Sequence, residues 1–379
     1  MRKEPSELWW ENITGPQQLV SAIEYAVQDG KSVILRHPGF LPWEGPLQDL
    51  THVTGTVIID HPVKKDGIIP KLLEHLPEKH AIKCPPVYAN QLKYVKSQHV
   101  FQEQTIWISV ARSVPANQVI RFISDYRGDD YLNYGAFILT VHEEAAIPSV
   151  SDAVEVIRYQ DYVRPSSLRL FAALLAEDMP CIPKQMAEYA AAAMASVCAP
   201  DPELIPALME ATDISRQSPD AALQRLQQDG VLAERSALPG HPYRLLADPD
   251  GFTDRIWRAQ LQTLFSVIEA ERTDIVKAYY DDIQEALHTQ YWDKKGRRFR
   301  SITDPVDHCV IDDPYDTEVG ILAFMLTVCR DAEETEKLWY LPEAETRERI
   351  AFLRQCRNCL AHIAPCSPED VARLLEEHC

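Results

Sequence analysis

No stretch of this 379-residue chain approaches the ~20 uninterrupted apolar residues that a helix needs to cross a bilayer, so no membrane span and no membrane partner is expected. Nor is a secretion signal expected. The early positive charge of Met1-Arg2-Lys3 runs straight into Leu8-Trp9-Trp10-Glu11, with no apolar stretch or cleavage site. Positive charge is in deficit: 38 Lys and Arg against 57 Asp and Glu leave a formal net charge of -19. Such a surface is not broadly adapted to polyanions, and only a local basic patch could grip nucleic acid. The nine cysteines are odd in number and scattered, which fits reduced thiols in a cytoplasmic protein better than a disulfide framework. Cys356 and Cys359 form a CxxC, but no second one exists and the segment around them reads as helix, so a structural zinc is not expected. His52, His61 and His142 have no ligand partners at metal spacing, and there is no Gly-x-Ser-x-Gly nucleophile elbow. Neither a metal nor a cofactor is assigned.

What is present is enough for two or three domains. Residues 1–147 alternate helical patterns with β-rich runs, the pattern of an α/β unit with a parallel sheet. Gln17 to Val27 is an amphipathic helix with Leu19, Val20, Ile23 and Val27 on one side. Strands are expected at Ser32-Val33-Ile34-Leu35-Arg36, Thr56 to Asp60, Thr105 to Val110 and Ala136 to Val141, their apolar continuity suiting burial on both faces. Residues 148–254 change to helices with Pro-marked joints, among them Leu168 to Glu177 and the alanine-rich Lys184 to Cys198. Ser218 and Pro219 can start a further helix that stops at Gly230. Val231-Leu232, the turn Ser236-Ala237-Leu238-Pro239-Gly240-His241-Pro242, and Tyr243-Arg244-Leu245-Leu246 then read as a hairpin, which together look like a winged helix. Few basic residues lie there, so a packing or protein-docking role is favoured over DNA reading. Residues 255–379 read as all-α, with helices from Thr253 to His288, Asp312 to Cys329 and Glu343 to Ile363, and a short closing helix after Ser367-Pro368-Glu369.

In a P-loop NTPase the first strand leads into a glycine-rich turn whose amides cradle phosphate, with a Lys and a Ser or Thr beside it. Here the segment after Leu35 reads Arg36-His37-Pro38-Gly39-Phe40-Leu41-Pro42-Trp43-Glu44-Gly45-Pro46-Leu47. Pro38, Pro42 and Pro46 donate no amide, and Glu44 repels phosphate where the Lys should attract it. No acidic residue follows the strand ending at Val110, and Asp60 comes too early to be its substitute. The layout of sheet, helical part and winged helix nevertheless resembles the AAA+/STAND-type NTPase modules. The resemblance implies a degenerate relative, P-loop-NTPase-like but without the Walker A motif, in which ATPase activity is not expected.

The third helix of the last part holds Arg357-Asn358-Cys359-Leu360-Ala361-His362, which resembles the RxxxxH motif of HEPN domains. The resemblance implies a metal-independent endoribonuclease with Arg357, His362 and Asn358 at its catalytic site. The chemistry is coherent: the ribose 2′-hydroxyl attacks the adjacent phosphate, a histidine titrating near neutrality moves the proton, and a guanidinium stabilises the phosphoryl oxygens. Five positions on an ideal helix set two side chains about 140° apart, so a distorted helix end or a second subunit must bring them together. A homodimer through the HEPN-like domain, or a partner protein, is thus implied. The stretch Tyr291 to Arg300 adds Lys294, Lys295, Arg297, Arg298 and Arg300 beside three aromatics, a candidate RNA-binding segment and equally an exposed connector. HEPN-like domains with this motif also act as assembly modules, with the Arg fixed by a carboxylate such as Asp316 or Glu318. The assortment resembles components of bacterial conflict and anti-phage systems: a scaffold joined to an RNA-cutting end, or a non-catalytic adaptor that binds a partner ATPase or nuclease.

Overall fold

The continuous apolar runs become strands of one parallel sheet. β1 (Ser32–His37), β2 (Gly55–Ile59), β3 (Thr105–Val110) and β4 (Ala136–His142) fall where expected, and β5 (Val154–Arg158) joins them. The order is β2-β3-β4-β1-β5 with every pairing parallel, so β1 is flanked on both sides: its Leu35 lies level with Thr140 of β4 and Ile157 of β5. β5 lies beyond residue 147, in the segment expected to be helical. Of its Val-Glu-Val-Ile-Arg only Val154 and Ile157 are buried, as befits a short strand at the sheet edge.

The computed structural model describes residues 3–61, 68–74, 87–127, 135–238, 240–288, 291–292, 298–299, 302, 309–326, 328–330 and 335–376. It divides the chain into two units: Met1–Leu175 with Cys198–Ala207 and Gly230–Pro242, and Ala176–Val197 with Leu208–Asp229 and Tyr243–Cys379. In the first unit α1 (Pro5–Glu7), α2 (Thr14–Gln28), α3 (Glu44–Leu50), α4 (Ile68–Glu74), α5 (Tyr88–Ser97) and α6 (Asn117–Arg127) alternate with the strands, and α7 (Tyr159–Tyr162) follows β5. α2 buries Pro16, Leu19, Val20, Ile23 and Ala26, the stripe its spacing predicts. One sheet face carries Ile34, Ile106, Ile108, Phe137 and Leu139, packed with Phe101, Phe122 and Tyr126. Phe122 and Phe137 meet edge to face at 5.2 Å, and each such buried ring contributes on the order of 1.5 to 3 kcal/mol. Gly135 admits the chain to β4, because a Cβ there would stand 1.9 Å from the Phe101 carbonyl oxygen.

The expected wing is not formed. α8 (Pro165–Asp178), α9 (Ala187–Cys198), α10 (Leu204–Ala211) and α11 (Pro219–Gln228) are helices, and Gly230 takes φ +76° as a helix stop. Ser218 precedes α11 without capping it through its side chain. Val231-Leu232 and Tyr243 to Leu246 are not strands: Leu232 is left-handed (φ 51°), and 3-10 turns occupy Ala233–Arg235 and Pro242–Ala247. Pro239 lies outside the described residues. The turn chemistry is therefore correct and the hairpin is not: the left-handed Leu232 and the 3-10 turns on either side leave no extended run to pair, and Arg235 between them is held by Asp201 and Glu203.

In the second unit α12 (Pro249–Ala278) begins at Asp248, whose carboxylate accepts the Gly251 N–H at 3.0 Å. The helix expected as far as His288 is broken at Tyr279, and α13 (Tyr280–His288) continues it. Two-residue strands β6 (Tyr291–Trp292) and β7 (Arg298–Phe299) pair antiparallel. The helix expected over Asp312 to Cys329 shortens to a 3-10 turn, Pro314–Asp316, and α14 (Val319–Met325), after which β8 (Val328–Arg330) pairs with β9 (Thr335–Lys337). α15 (Ala344–Ala361) and α16 (Pro368–Glu376) close the chain. α12 and α15 run antiparallel: Trp257 Nε1–H donates to the Leu360 carbonyl at 2.7 Å, while Arg349 reaches Glu271 near the opposite ends. Val276, Ile283, Leu287, Leu322, Met325, Trp339 and Ile350 form the core between these elements. Among the described residues no helix is long and apolar enough to cross a membrane.

Candidate functional site

In an open parallel sheet a ligand binds beyond the carboxyl ends of the strands, where the strand order reverses. Here the connection from β1 runs to β2 at the far edge, while β5 takes the other flank, so the crevice opens at the end of β1. The segment leading from His37 into α3 lies there, and the protein fills it with its own side chains.

Trp43 stands before α3 in the left-handed region (φ 44°, ψ 55°), so its amide turns away from the helix and donates to Glu203 Oε1. Glu44 opens α3 and accepts from Trp107 Nε1 at 2.6 Å and from Ser109 Oγ at 2.8 Å, both on β3. Two carboxylates thus occupy the Trp43 amide, the Trp107 indole and the Ser109 hydroxyl at this end of the sheet. Arg235 secures Glu203 from behind, with Nη2 to Glu203 Oε1 at 2.9 Å and Nη1 to Asp201 Oδ2 at 3.2 Å, and its guanidinium lies 4.7 Å over the Phe40 ring. The Asp201 side chain is 0% exposed and that of Arg235 16%. His241 Nε2 lies 3.6 Å from Asp201 Oδ2. Burial alone would lower the Arg235 pKa, but Asp201 and Glu203 outweigh it and raise the group further. Tyr159 beside them is pushed far up by burial and then by the same two carboxylates, and its hydroxyl has no hydrogen-bond partner among the described residues.

At the ends of β1 and β4, His37 and His142 pair in register with ring centroids 6.5 Å apart. Burial, then the neighbouring His142, lowers His37 from 6.5 to about 4, so its ring stays neutral. Glu143 lies between two arginines, with Arg36 Nε at 3.8 Å and Arg158 Nε at 3.6 Å. Asp60 does not enter the crevice and pairs with Lys71 at 3.5 Å.

The Arg357 region lies in the second unit. Arg357, in the last turns of α15, is paired with Glu318 at 2.7 Å, the side chains 34% and 49% exposed. Asn358 follows, half-buried, and its carbonyl accepts the His362 N–H at 3.0 Å. His362 is exposed and caps the helix end. Ile363 adopts φ +57°, Ala364 N–H returns to the Cys359 carbonyl at 2.9 Å and Ile363 N–H to Leu360 at 3.4 Å: a Schellman closure with isoleucine where glycine is usual. The helix therefore ends at the histidine, the distorted end that an Arg and a His five positions apart require. Lys294, Lys295, Arg297 and Arg300 lie outside the described residues, and Arg298 lies in β7. The open cavities of the second unit are lined elsewhere: one of about 490 Å³ by Glu271, Glu345, Arg349 and Arg373, and one of about 430 Å³ by Gln224, Leu245 and Phe252.

Sequence reasoning found Glu44, through its opposition to phosphate, and named Glu318 as a partner for Arg357. It missed Asp201, Glu203 and Arg235, whose only local signal is an acidic pair after a Pro-marked joint.

No protein-family model matches the chain, and no curated protein is similar to it in sequence. Among solved structures it is similar to the Thermotoga maritima RuvB Holliday junction branch migration motor, at 13% identity and TM-score 0.31 over 65% of this chain and 74% of that one. A point variant of that RuvB matches at 12% identity and TM-score 0.27, over 77% and 91%. The Drosophila ORC bound to DNA and Cdc6 matches at 9% identity and TM-score 0.26, over 98% and 72%. These likenesses are low, and no function is carried from those proteins to this chain.

Proposed function

We propose that the chain is a multidomain scaffold, a degenerate relative of the AAA+/STAND layout whose nucleotide crevice is permanently closed by its own carboxylates. One observation carries this reading: Glu203 on the Trp43 amide, with Arg235 behind it, and Glu44 on Trp107 and Ser109, set two carboxylates at the crevice where a triphosphate would have to sit. A nucleotide would have to displace two carboxylates and break a buried ion pair, at several kcal/mol, before gaining a contact. The helical end then holds a partner protein, and Arg357 serves that end as a positioned surface cation, neutralised by Glu318. The resemblance to components of bacterial conflict systems fits such an adaptor.

A second reading, metal-independent RNA cleavage by Arg357, Asn358 and His362, is favoured by the strained helix end that puts His362 in solvent beside a part-exposed Arg357. The basic segment with Lys294, Lys295, Arg297, Arg298 and Arg300 would hold the strand, and self-association of the HEPN-like end would complete the site. Purified chain incubated with total RNA in EDTA separates the two. Cleavage that is lost in both Arg357→Ala and His362→Ala establishes the nuclease. Intact RNA, together with no phosphate release from ATP, supports the scaffold; steady ATP turnover would refute it.

A further inference from the structure

Three thiols surround the end of α15. Cys356 and Cys366 are buried, and Cys359, one turn along the helix from Cys356, is half-buried. Among the described residues no three His, Cys, Asp or Glu side chains are placed to share a metal ion, so this group is not a metal site. Cys366 is held from two sides: its N–H donates to Gln260 Oε1 at 2.7 Å and its carbonyl accepts Gln260 Nε2 at 3.0 Å. So fixed, its thiol donates to the Cys356 carbonyl oxygen at 3.8 Å, which sets it against the residue that carries the second buried thiol. The neighbouring Cys366 thiol lowers Cys356 below the ordinary thiol range; burial and then Asp370 oppose it, and Arg349 and Arg373 add smaller pulls downward. The Cys356 thiol, and then burial, raise Cys366. One sulfur is thus prepared as a nucleophile and the other retains its proton, the asymmetry that disulfide formation uses.

We propose that Cys356 and Cys366 are a peroxide-sensitive pair that closes to a disulfide, enclosing Arg357, Asn358 and His362 in the ring so formed. The Cys356 thiolate attacks one oxygen of hydrogen peroxide; the O–O bond breaks, and the departing hydroxide takes up a proton as water, leaving a sulfenic acid. Cys366 sulfur then attacks the sulfenic sulfur, its proton joins the displaced hydroxyl, and a second water leaves. Two thiols lose two electrons to one peroxide, and a small thiol reverses the step by exchange. The ring spans the helix end and its left-handed Ile363, so oxidation fixes the conformation of the residues between Arg357 and His362. This chemistry does not depend on whether those residues cut RNA.

The test uses the full chain, treated with one equivalent of hydrogen peroxide, alkylated and digested with trypsin. Cleavage after Arg354, Arg357 and Arg373 puts Cys356 on one peptide and both Cys359 and Cys366 on the next. The expected product is these two peptides joined, with the loss of two hydrogens and full release by dithiothreitol. The link persists in Cys359→Ser, and in Cys366→Ser it gives way to a Cys356 sulfenic acid that dimedone traps, circular dichroism showing both variants folded. A link that survives Cys366→Ser overturns the assignment in favour of Cys356 with Cys359. Full alkylation of Cys356 while the exposed Cys181 and Cys309 oxidise overturns it altogether.

Discussion

Replacing Arg235 by Met keeps most of its apolar stem and removes the guanidinium that holds Asp201 and Glu203. In the native chain that group makes bonds of 2.9 Å to Glu203 and 3.2 Å to Asp201 and stacks on Phe40. Without it the Asp201 carboxylate, at 0% exposure, keeps the Glu203 N–H at 3.0 Å and the His241 ring at 3.6 Å, and Glu203 keeps the Trp43 amide. Removing one partner of a buried pair costs about 3 to 5 kcal/mol, since the charge left behind is neither hydrated nor neutralised. In a unit of this size each kcal/mol lowers Tm by about 2 to 4 °C, so scanning calorimetry should record a fall of roughly 6 to 20 °C in the first unit's transition. The double variant Arg235→Met, Glu203→Gln should recover part of the loss, because the amide still accepts from Trp43 without a charge to strand. A loss under about 1 kcal/mol, the range of exposed pairs, would refute the closed network.

Ile363→Gly should stabilise the second unit by up to about 1 kcal/mol, as glycine accepts the left-handed conformation that costs a β-branched residue about 1 to 2 kcal/mol; a urea midpoint that falls would show the turn to be unstrained. Stability should fall with acid through His37: the unfolded ring protonates near pH 6.5 and the folded one only near 4, so the loss accumulates between those values, is complete below 4, and amounts to about 3 kcal/mol. Denaturant melts of His37→Gln should have a shallower slope over that window, and an unchanged slope would contradict the assignment. Glu271→Ala removes the carboxylate that neutralises the largely buried Arg349 and should cost about 3 kcal/mol, whereas Arg357→Ala breaks a part-exposed pair and should cost under about 1 kcal/mol. Paired melts check this, and they also decide whether any activity lost with Arg357 is chemical.

The sheet was legible because strands buried on both faces need apolar runs, and Val33 to Leu35 or Phe137 to Leu139 admit little else. β5 was not, since Val154 and Ile157 are its only buried positions and a five-residue run buried three apart is ambiguous by period. The wing failed for a different reason. Leu238 to Pro242 carries genuine turn residues, but what the flanking residues do is decided by Asp201 and Glu203, more than thirty positions away. The same distance problem hid the closure of the crevice: Trp43 and Glu203 are 160 positions apart, and no local spacing announces their contact. The absence of a Gly-Lys-Ser/Thr motif could be read directly, and so could the opposition of Glu44 to phosphate. At the other end, Arg357 and His362 were visible as a spacing, while the left-handed Ile363 that ends their helix was masked by a residue type that rarely adopts it.

The closed crevice is tested most directly by calorimetric titration of the full chain with magnesium ATP up to millimolar concentration. Heats no larger than dilution are predicted, in the native chain and in Arg357→Ala alike. A one-to-one isotherm with sub-millimolar Kd, weakened by Trp107→Phe or Ser109→Ala, would mean that Glu44 and Glu203 give way to phosphate and that the crevice is a working nucleotide site.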